Sequence, residues 1–177
     1  MTTMPKVGMT AVLALLPDAD PLLDLAARVD PRSVRPGVPA HAALLYPWLP
    51  ADRIGPAELD RLRAALVRSV AGADRIPVLL GEVERAGSFV GVPVPELDAV
   101  ATAVRAAFPE QVPYGGRFGR NPPVHVTVAL DAEDRAAGDI ARRVTGCLPI
   151  RTAVTCMQVV ALGADGWRGV AELPFAG

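Results

Sequence analysis

PPVHVTVAL, residues 122–130, is a run of β-branched and aliphatic residues that carries a histidine and a threonine two positions apart. Such a run reads as a buried strand. Residues i and i+2 of a strand share a face. His125 and Thr127 therefore point one way, and Val126 and Val128 point the other, toward a core. The chain has only one other histidine, His41, and its setting is similar: VPAHAALLY, residues 38–46. Each histidine follows a proline by two residues and opens an apolar run. On the first of these strands His41 and Ala43 share a face, and Ala42 and Leu44 share the other. If the two strands lie side by side, both rings face one groove.

Outward from these strands the elements alternate. MTAVLALLP (9–17) is a strand stopped by Pro17-Asp18, and PLLDLAARVD (21–30) is a short helix ended by the turn-rich segment 31–39. After the strand at 40–46 comes a helix over 55–72, with Pro56 in its first turn, an apolar stripe of Leu59, Leu62, Leu66 and Val70, and Gly72 at its end. IPVLLGEVERAG and SFVGVPV form a hairpin around Gly87-Ser88. A helix over 95–108 aligns Leu97, Val100, Val104 and Phe108. A turn-rich loop, 109–123, leads into the opening strand, and an acidic first turn suits the helix over 131–149. TAVTCMQVVALG and WRGVAELPF close as a hairpin across Ala164-Asp165-Gly166. A strand–helix–two-strand pattern thus occurs twice, with one histidine in each half. Many hairpins and few crossovers predict an α+β fold with antiparallel sheet.

Composition narrows the function. Hydrophobic residues are 51% of the 177, enough to bury the core of one compact domain. The net charge of −1 supplies no basic face for long nucleic acid, and leaves a small phosphorylated or nucleotide-sized ligand as the partner. Cys147 and Cys156 have neither metal-ligand nor disulfide-framework spacing, and they read as free buried thiols in a reducing compartment. YGGRFGR does not follow a strand and fails the dinucleotide spacing. No metal and no cofactor is expected. The first 20 residues lack the features of a secretory signal, and no run nears the ~18–20 apolar residues of a membrane span. The expectation is a monomeric cytoplasmic protein that binds no membrane.

Two imidazoles that titrate near neutrality can take a proton from an attacking oxygen and give one to a leaving oxygen. A single strand histidine is by itself more often structural. Two, the only two, in matching contexts favour the catalytic reading. The stretches GVPAHAALLYPWLP and FPEQVPYGGRFGRNPPVHVTVAL resemble the two signature regions of the two-histidine (2H) phosphoesterase superfamily, and more narrowly its bacterial 2′-5′ RNA ligase-like and cyclic phosphodiesterase-like members. That family carries a histidine–hydrophobic–Thr/Ser–hydrophobic tetrad twice. The resemblance implies a bilobal, pseudo-twofold fold: two mainly antiparallel sheets, helices packed outside and a central groove, all within one domain over 1–177. It also implies metal-independent chemistry on 2′,3′-cyclic or 2′-5′-linked nucleotides.

Carried over by position, His41, His125 and Thr127 are the catalytic candidates. Ala43 stands where the family has a hydroxyl. An alanine cannot donate to a phosphoryl oxygen, and losing one preorganised donor costs on the order of 10²–10³ in rate. Tyr114, Arg117 and Arg120, in the loop before the second histidine strand, are candidates to stack on a base and fork onto a phosphate; their alternative is a solvated loop. Tyr46 alternates away from His41 and reads as core packing, and Trp48 as a cap. Two alternatives stay open. One is the same fold turned to another reaction, such as proton transfer or cyclisation in a biosynthetic pathway. The other is a nucleotide-binding protein without turnover.

Overall fold

The computed structural model describes residues 6–35 and 37–175. Residues 1–5 of the opening stretch read above for a signal, and Pro36 of the turn-rich 31–39 segment, lie outside the described residues. The elements run β1 (Thr10–Leu15), α1 (Asp20–Val29), β2 (His41–Leu45), α2 (Pro56–Val70), β3 (Ile76–Leu80), β4 (Glu84–Ala86), β5 (Phe89–Pro93), α3 (Asp98–Ala107), β6 (His125–Ala129), α4 (Asp134–Thr145), β7 (Ile150–Val154), β8 (Cys156–Gly163) and β9 (Gly166–Pro174). Seven strands form one sheet in the order β4-β5-β6-β2-β1-β8-β9, and β3 pairs with β7 in a second. Every pairing is antiparallel. The fold is α+β, as predicted.

Two expected hairpins are more elaborate than the sequence suggests. IPVLLGEVERAG is not one strand: Gly81-Glu82-Val83 breaks it, sending β3 to the small sheet and β4 to the edge of the large one. TAVTCMQVVALG divides in the same way at Thr155, into β7 and β8. Each half of the chain thus gives one strand to the small sheet.

The halves mirror each other about a line between β2 and β6. The amide of Leu16 donates to the Ala40 carbonyl, and that of Val94 to the Val124 carbonyl. The amide of Ala40 donates to the Asp20 carboxylate at 2.6 Å, and that of Val124 to the Asp98 carboxylate at 2.9 Å. Asp20 and Asp98 each open a helix, so each histidine strand is anchored just before its histidine by the first residue of the preceding helix. Those helices then cross over: α1 packs on β6 and α3 on β2.

All four helices contribute to the main core, which also holds Ala42, Leu44, Leu45, Val126, Val128 and Ala129. Burying a leucine contributes about 1.5–3 kcal/mol, so the core-facing side of each histidine strand fixes which way its other side points. Each histidine strand also carries a bulge. Val12 pairs with Leu45 but Leu13 with Ala43, and Val90 pairs with Ala129 but Gly91 with Thr127. Two successive residues therefore turn into the core on each strand, Leu44-Leu45 and Val128-Ala129, and the alternation inverts beyond them. Tyr46 consequently does not join the main core. It belongs to a second cluster on the opposite sheet face with Ala11, Leu13, Leu15, Val38, Ala43, Val160 and Trp167.

The cysteines also depart from the sequence reading: Cys147 is exposed and Cys156 half-buried, because Cys147 follows the last turn of α4 rather than facing inward. No described helix is long and apolar enough to cross a membrane.

Candidate active site

β2 and β6 meet at Ala42 and Val126, both fully buried. One step either side of that pair, antiparallel geometry sets His41 across from Thr127, and Ala43 across from His125. These four residues share the sheet face away from the main core. The two histidines are diagonal neighbours, a placement that sets such residues roughly 7–8 Å apart, their Cβ atoms somewhat closer. The outer strands extend the rows. Leu15 and Leu13 of β1 flank His41 and Ala43, while Gly91 and Pro93 of β5 flank Thr127 and His125. The site thus brings together His41, Ala43, His125 and Thr127.

Both rings are held in the same way. His41 Nδ1 lies 2.8 Å from the Pro39 carbonyl, and His125 Nδ1 lies 3.0 Å from the Pro123 carbonyl. A carbonyl only accepts, so each Nδ1 carries the proton and each Nε2 is left as the working nitrogen. From there the two part. His41 Nε2 has no partner among the described residues. Burial pushes its pKa below the ordinary value, against a smaller opposing effect of the Pro39 carbonyl. Its neutral form, with a free lone pair on Nε2, is favoured. His125 Nε2 instead sits 2.6 Å from Glu84 Oε2. A carboxylate and a carbonyl both accept, so the His125 ring stands between two acceptors, one at each nitrogen. The Phe89 ring stands edge-on to His125 at 5.8 Å between centroids.

Gly91 makes that cage possible. It lies between Glu84 and Thr127 in the sheet. A Cβ there would come within 2.5 Å of the Phe89 ring and 3.1 Å of the Val126 carbonyl. With no side chain at 91, Glu84 and Phe89 lean across to His125.

The other half of the face is apolar. Ala43 lies with Leu13, Val38, Tyr46 and Trp167. From there an aromatic ladder climbs outward: Trp167 to Tyr46 at 6.2 Å, Tyr46 to Tyr114 at 6.0 Å and Tyr114 to Phe118 at 5.6 Å, with the Arg117 guanidinium 5.2 Å above Phe118. Tyr114 therefore adjoins the histidine face, and Arg117 lies at the ladder's outer end. Burial raises the Tyr114 phenol's pKa, with nearby Arg105 opposing. Arg120 is not brought to this face. It donates to the Pro109 carbonyl and lines a recess of about 140 Å³ with Thr102, Arg105 and Asn121 on the α3 side. A second recess, of about 310 Å³, is lined by Asp20, Asp24, Arg35 and Val38. Neither recess contains a histidine, so the chemistry rather than the enclosed volume marks the site.

One buried cation ties the site together. Arg105 of α3 is 7% exposed, and it donates to the Leu44 carbonyl at 2.9 Å and the Pro122 carbonyl at 2.8 Å. Leu44 is in the bulge of β2, and Pro122 leads into β6. The guanidinium thus bridges two strands that otherwise meet at a single residue pair.

The model of the 2′-5′ RNA ligase superfamily matches residues 18–166, which contain both histidine strands. The chain belongs to that superfamily. Solved structures similar to this superfamily member include E. coli LigT complexed with 3′-AMP, at 16% identity and a TM-score of 0.56, covering 97% of this chain and 100% of that one. A structure described as a phosphoesterase aligns at 14% identity and a TM-score of 0.54, over 96% of this chain and 99% of that one. E. coli LigT complexed with ATP aligns at 14% identity and a TM-score of 0.53, over 97% and 100%. At such identities these likenesses establish the fold alone. No curated protein sequence matches the chain significantly.

Glu84, Phe89, Gly91 and Arg105 are the site residues that sequence reasoning missed. The segment GEVERAG carries Glu82, Glu84 and Arg85 together, and nothing in it singles out Glu84.

Proposed function

We propose that this superfamily member is a metal-independent phosphodiesterase acting on small nucleotides with a 2′,3′-cyclic phosphate or a 2′-5′ linkage. The observation that carries this reading is the diagonal pair of rings, both held through Nδ1, with one Nε2 free and the other 2.6 Å from Glu84 Oε2. His41 is the base: its Nε2 takes a proton from water as the water oxygen attacks phosphorus. His125 is the acid: its Nε2–H passes to the leaving oxygen as the P–O bond breaks. The Thr127 hydroxyl donates to a phosphoryl oxygen between them. Solvent exchange then returns the proton from His41 and restores the one on His125. Tyr114 and the ladder beneath it offer the organic part of the substrate a surface to stack on, with Arg117 at its outer, base-edge end.

The test is release of a 2′- or 3′-monophosphate from 2′,3′-cyclic nucleotides by purified protein in EDTA. Turnover that is lost in both His41→Ala and His125→Ala supports the reading. Turnover indistinguishable from that of both variants rejects it.

One observation favours a second reading, the same fold repurposed for proton transfer or cyclisation. Ala43 sits in an apolar cluster where a second donor to phosphate would serve. Under that reading Ala43→Thr raises phosphodiesterase turnover while harming the native reaction.

A further inference from the structure

We propose that Glu84 is a specificity-determining residue: its carboxylate occupies the working nitrogen of His125 and biases the site toward singly charged phosphodiesters over doubly charged phosphomonoesters. This deepens the phosphodiesterase reading and rests on it.

The argument begins from the symmetry of the two halves. His41 and His125 use Nδ1 for the same structural bond, to the carbonyl of the proline two residues earlier. Only Nε2 is left for a ligand, and on His125 that atom already holds an anionic oxygen at 2.6 Å. Glu84 is therefore not an orienting carboxylate behind the ring. It stands where a ligand oxygen must come. Its side chain is 56% exposed on the edge strand β4, so it can rotate away into water. Its neighbour Arg85 is turned to Asp134 at the start of α4, and the ion pair of Glu84 among the described residues is with His125. Glu84 from β4 lies against the His125 ring and His41 of β2 is its diagonal neighbour; Phe89 stands edge-on to it, and Pro93 and Ala43 are its cross-strand neighbours.

Displacement of Glu84 costs the same whichever ligand enters. The charge left beside the site does not act equally on all ligands. A diester carries one negative charge, whereas a monoester carries about −1.5 to −2 at pH 7. At about 4 Å in a water-like medium, each further unit of like charge weakens binding on the order of fivefold. Glu84, turned aside and so no nearer than about 4 Å, therefore disfavours the monoester by up to about fivefold relative to the diester. In hydrolysis the diester is the substrate and the monoester the product, so the same carboxylate speeds product departure. Gly91 is part of this device, since a Cβ there would strike the Phe89 ring that stands beside His125.

The experiment measures the dissociation constants of 2′,3′-cyclic AMP and 3′-AMP by calorimetry at pH 7, for the wild-type chain and for Glu84→Gln, with melting curves as a check on folding. For the cyclic ligand the constant is taken under conditions of negligible turnover. Glu84→Gln keeps the side-chain size and removes the charge. The expected result is a shift of the affinity ratio toward 3′-AMP of up to about fivefold. An unchanged ratio, or one shifted toward the cyclic ligand, overturns the proposal. If the ratio moves but no turnover occurs in EDTA, the charge discrimination stands and the hydrolytic reading falls. If wild type turns over and the ratio is fixed, the reverse holds. If neither ligand binds either protein, both fall.

Discussion

Arg105→Met should loosen the join between the two histidine strands. The substitution keeps an unbranched, apolar stem in the core but removes both donors. The carbonyls of Leu44 and Pro122 then lose their guanidinium partner in a buried site. An unsatisfied buried group costs about 1–3 kcal/mol, which gives ~2–6 kcal/mol for the pair. Against this, the wild-type fold carries the cost of burying a cation. Burial lowers the pKa of Arg105, with Tyr114 and Asp98 acting in the other direction, and the methionine relieves that cost. The net loss is about 2–4 kcal/mol. With a urea slope of roughly 2 kcal/mol/M, the unfolding midpoint falls by roughly 1–2 M. Because the chain has two histidines, the Cε1–H signals of the two rings give a local readout in the same samples, and both should move. Arg105→Lys keeps the charge but cannot fork to two carbonyls, so it should recover less than half the loss. A midpoint drop below about 0.5 M in Arg105→Met, with both histidine signals unmoved, would refute the bridging role.

Three other outcomes follow from the same geometry. Ala43→Thr restores a hydroxyl across from His125 and should raise turnover of 2′,3′-cyclic nucleotides, by up to 10²–10³ if that oxygen donates to the developing charge; unchanged kcat would place Ala43 outside the reaction. Burial depresses the pKa of His41 in the folded chain, so as the base it stays unprotonated below its ordinary value of about 6.5, and the acid limb of kcat/KM should lie below that pH. The same sign makes His41 neutral for stability well above pH 6.5 and destabilising as pH falls through that value toward the folded one; an acid limb above 6.5 would contradict the assignment. Gly91→Ala drives a Cβ into the Phe89 ring; it should cost about 1–3 kcal/mol in urea unfolding and shift the His125 signal while leaving that of His41 in place.

Much of this site was readable from strand alternation. His125 and Thr127 on one face, with Val126 and Val128 on the other, follow from a period of two once the strand is recognised, and the apolar residues on the inner side enforce it. Tyr46 was not readable in that way. The bulge at Leu44-Leu45 inverts the alternation, and a bulge depends on the partner strand's register, which a single segment does not carry. Glu84 was hidden for the same reason. Its closeness to His125 arises from the pairing of Glu84 with Gly91, and of Gly91 with Thr127, a relation between segments separated by a helix and a loop. Arg105 read as one more helix position, because a helical stripe says which face is buried and not which carbonyls wait there. The division of each long strand between two sheets was equally silent, since Thr155 gives no turn signal and Gly81 alone gives a weak one.

The central claim is that one phosphoryl group can touch both Nε2 atoms at once. A crystal structure of the chain soaked with 3′-AMP tests it most directly. The account predicts phosphate oxygens within hydrogen-bond distance of Nε2 of His41 and of His125, the Thr127 hydroxyl on the same phosphate, and the Glu84 carboxylate turned away. A phosphate bound to one ring alone, or lodged in the recess beside Arg120 with Glu84 still on His125, would contradict it.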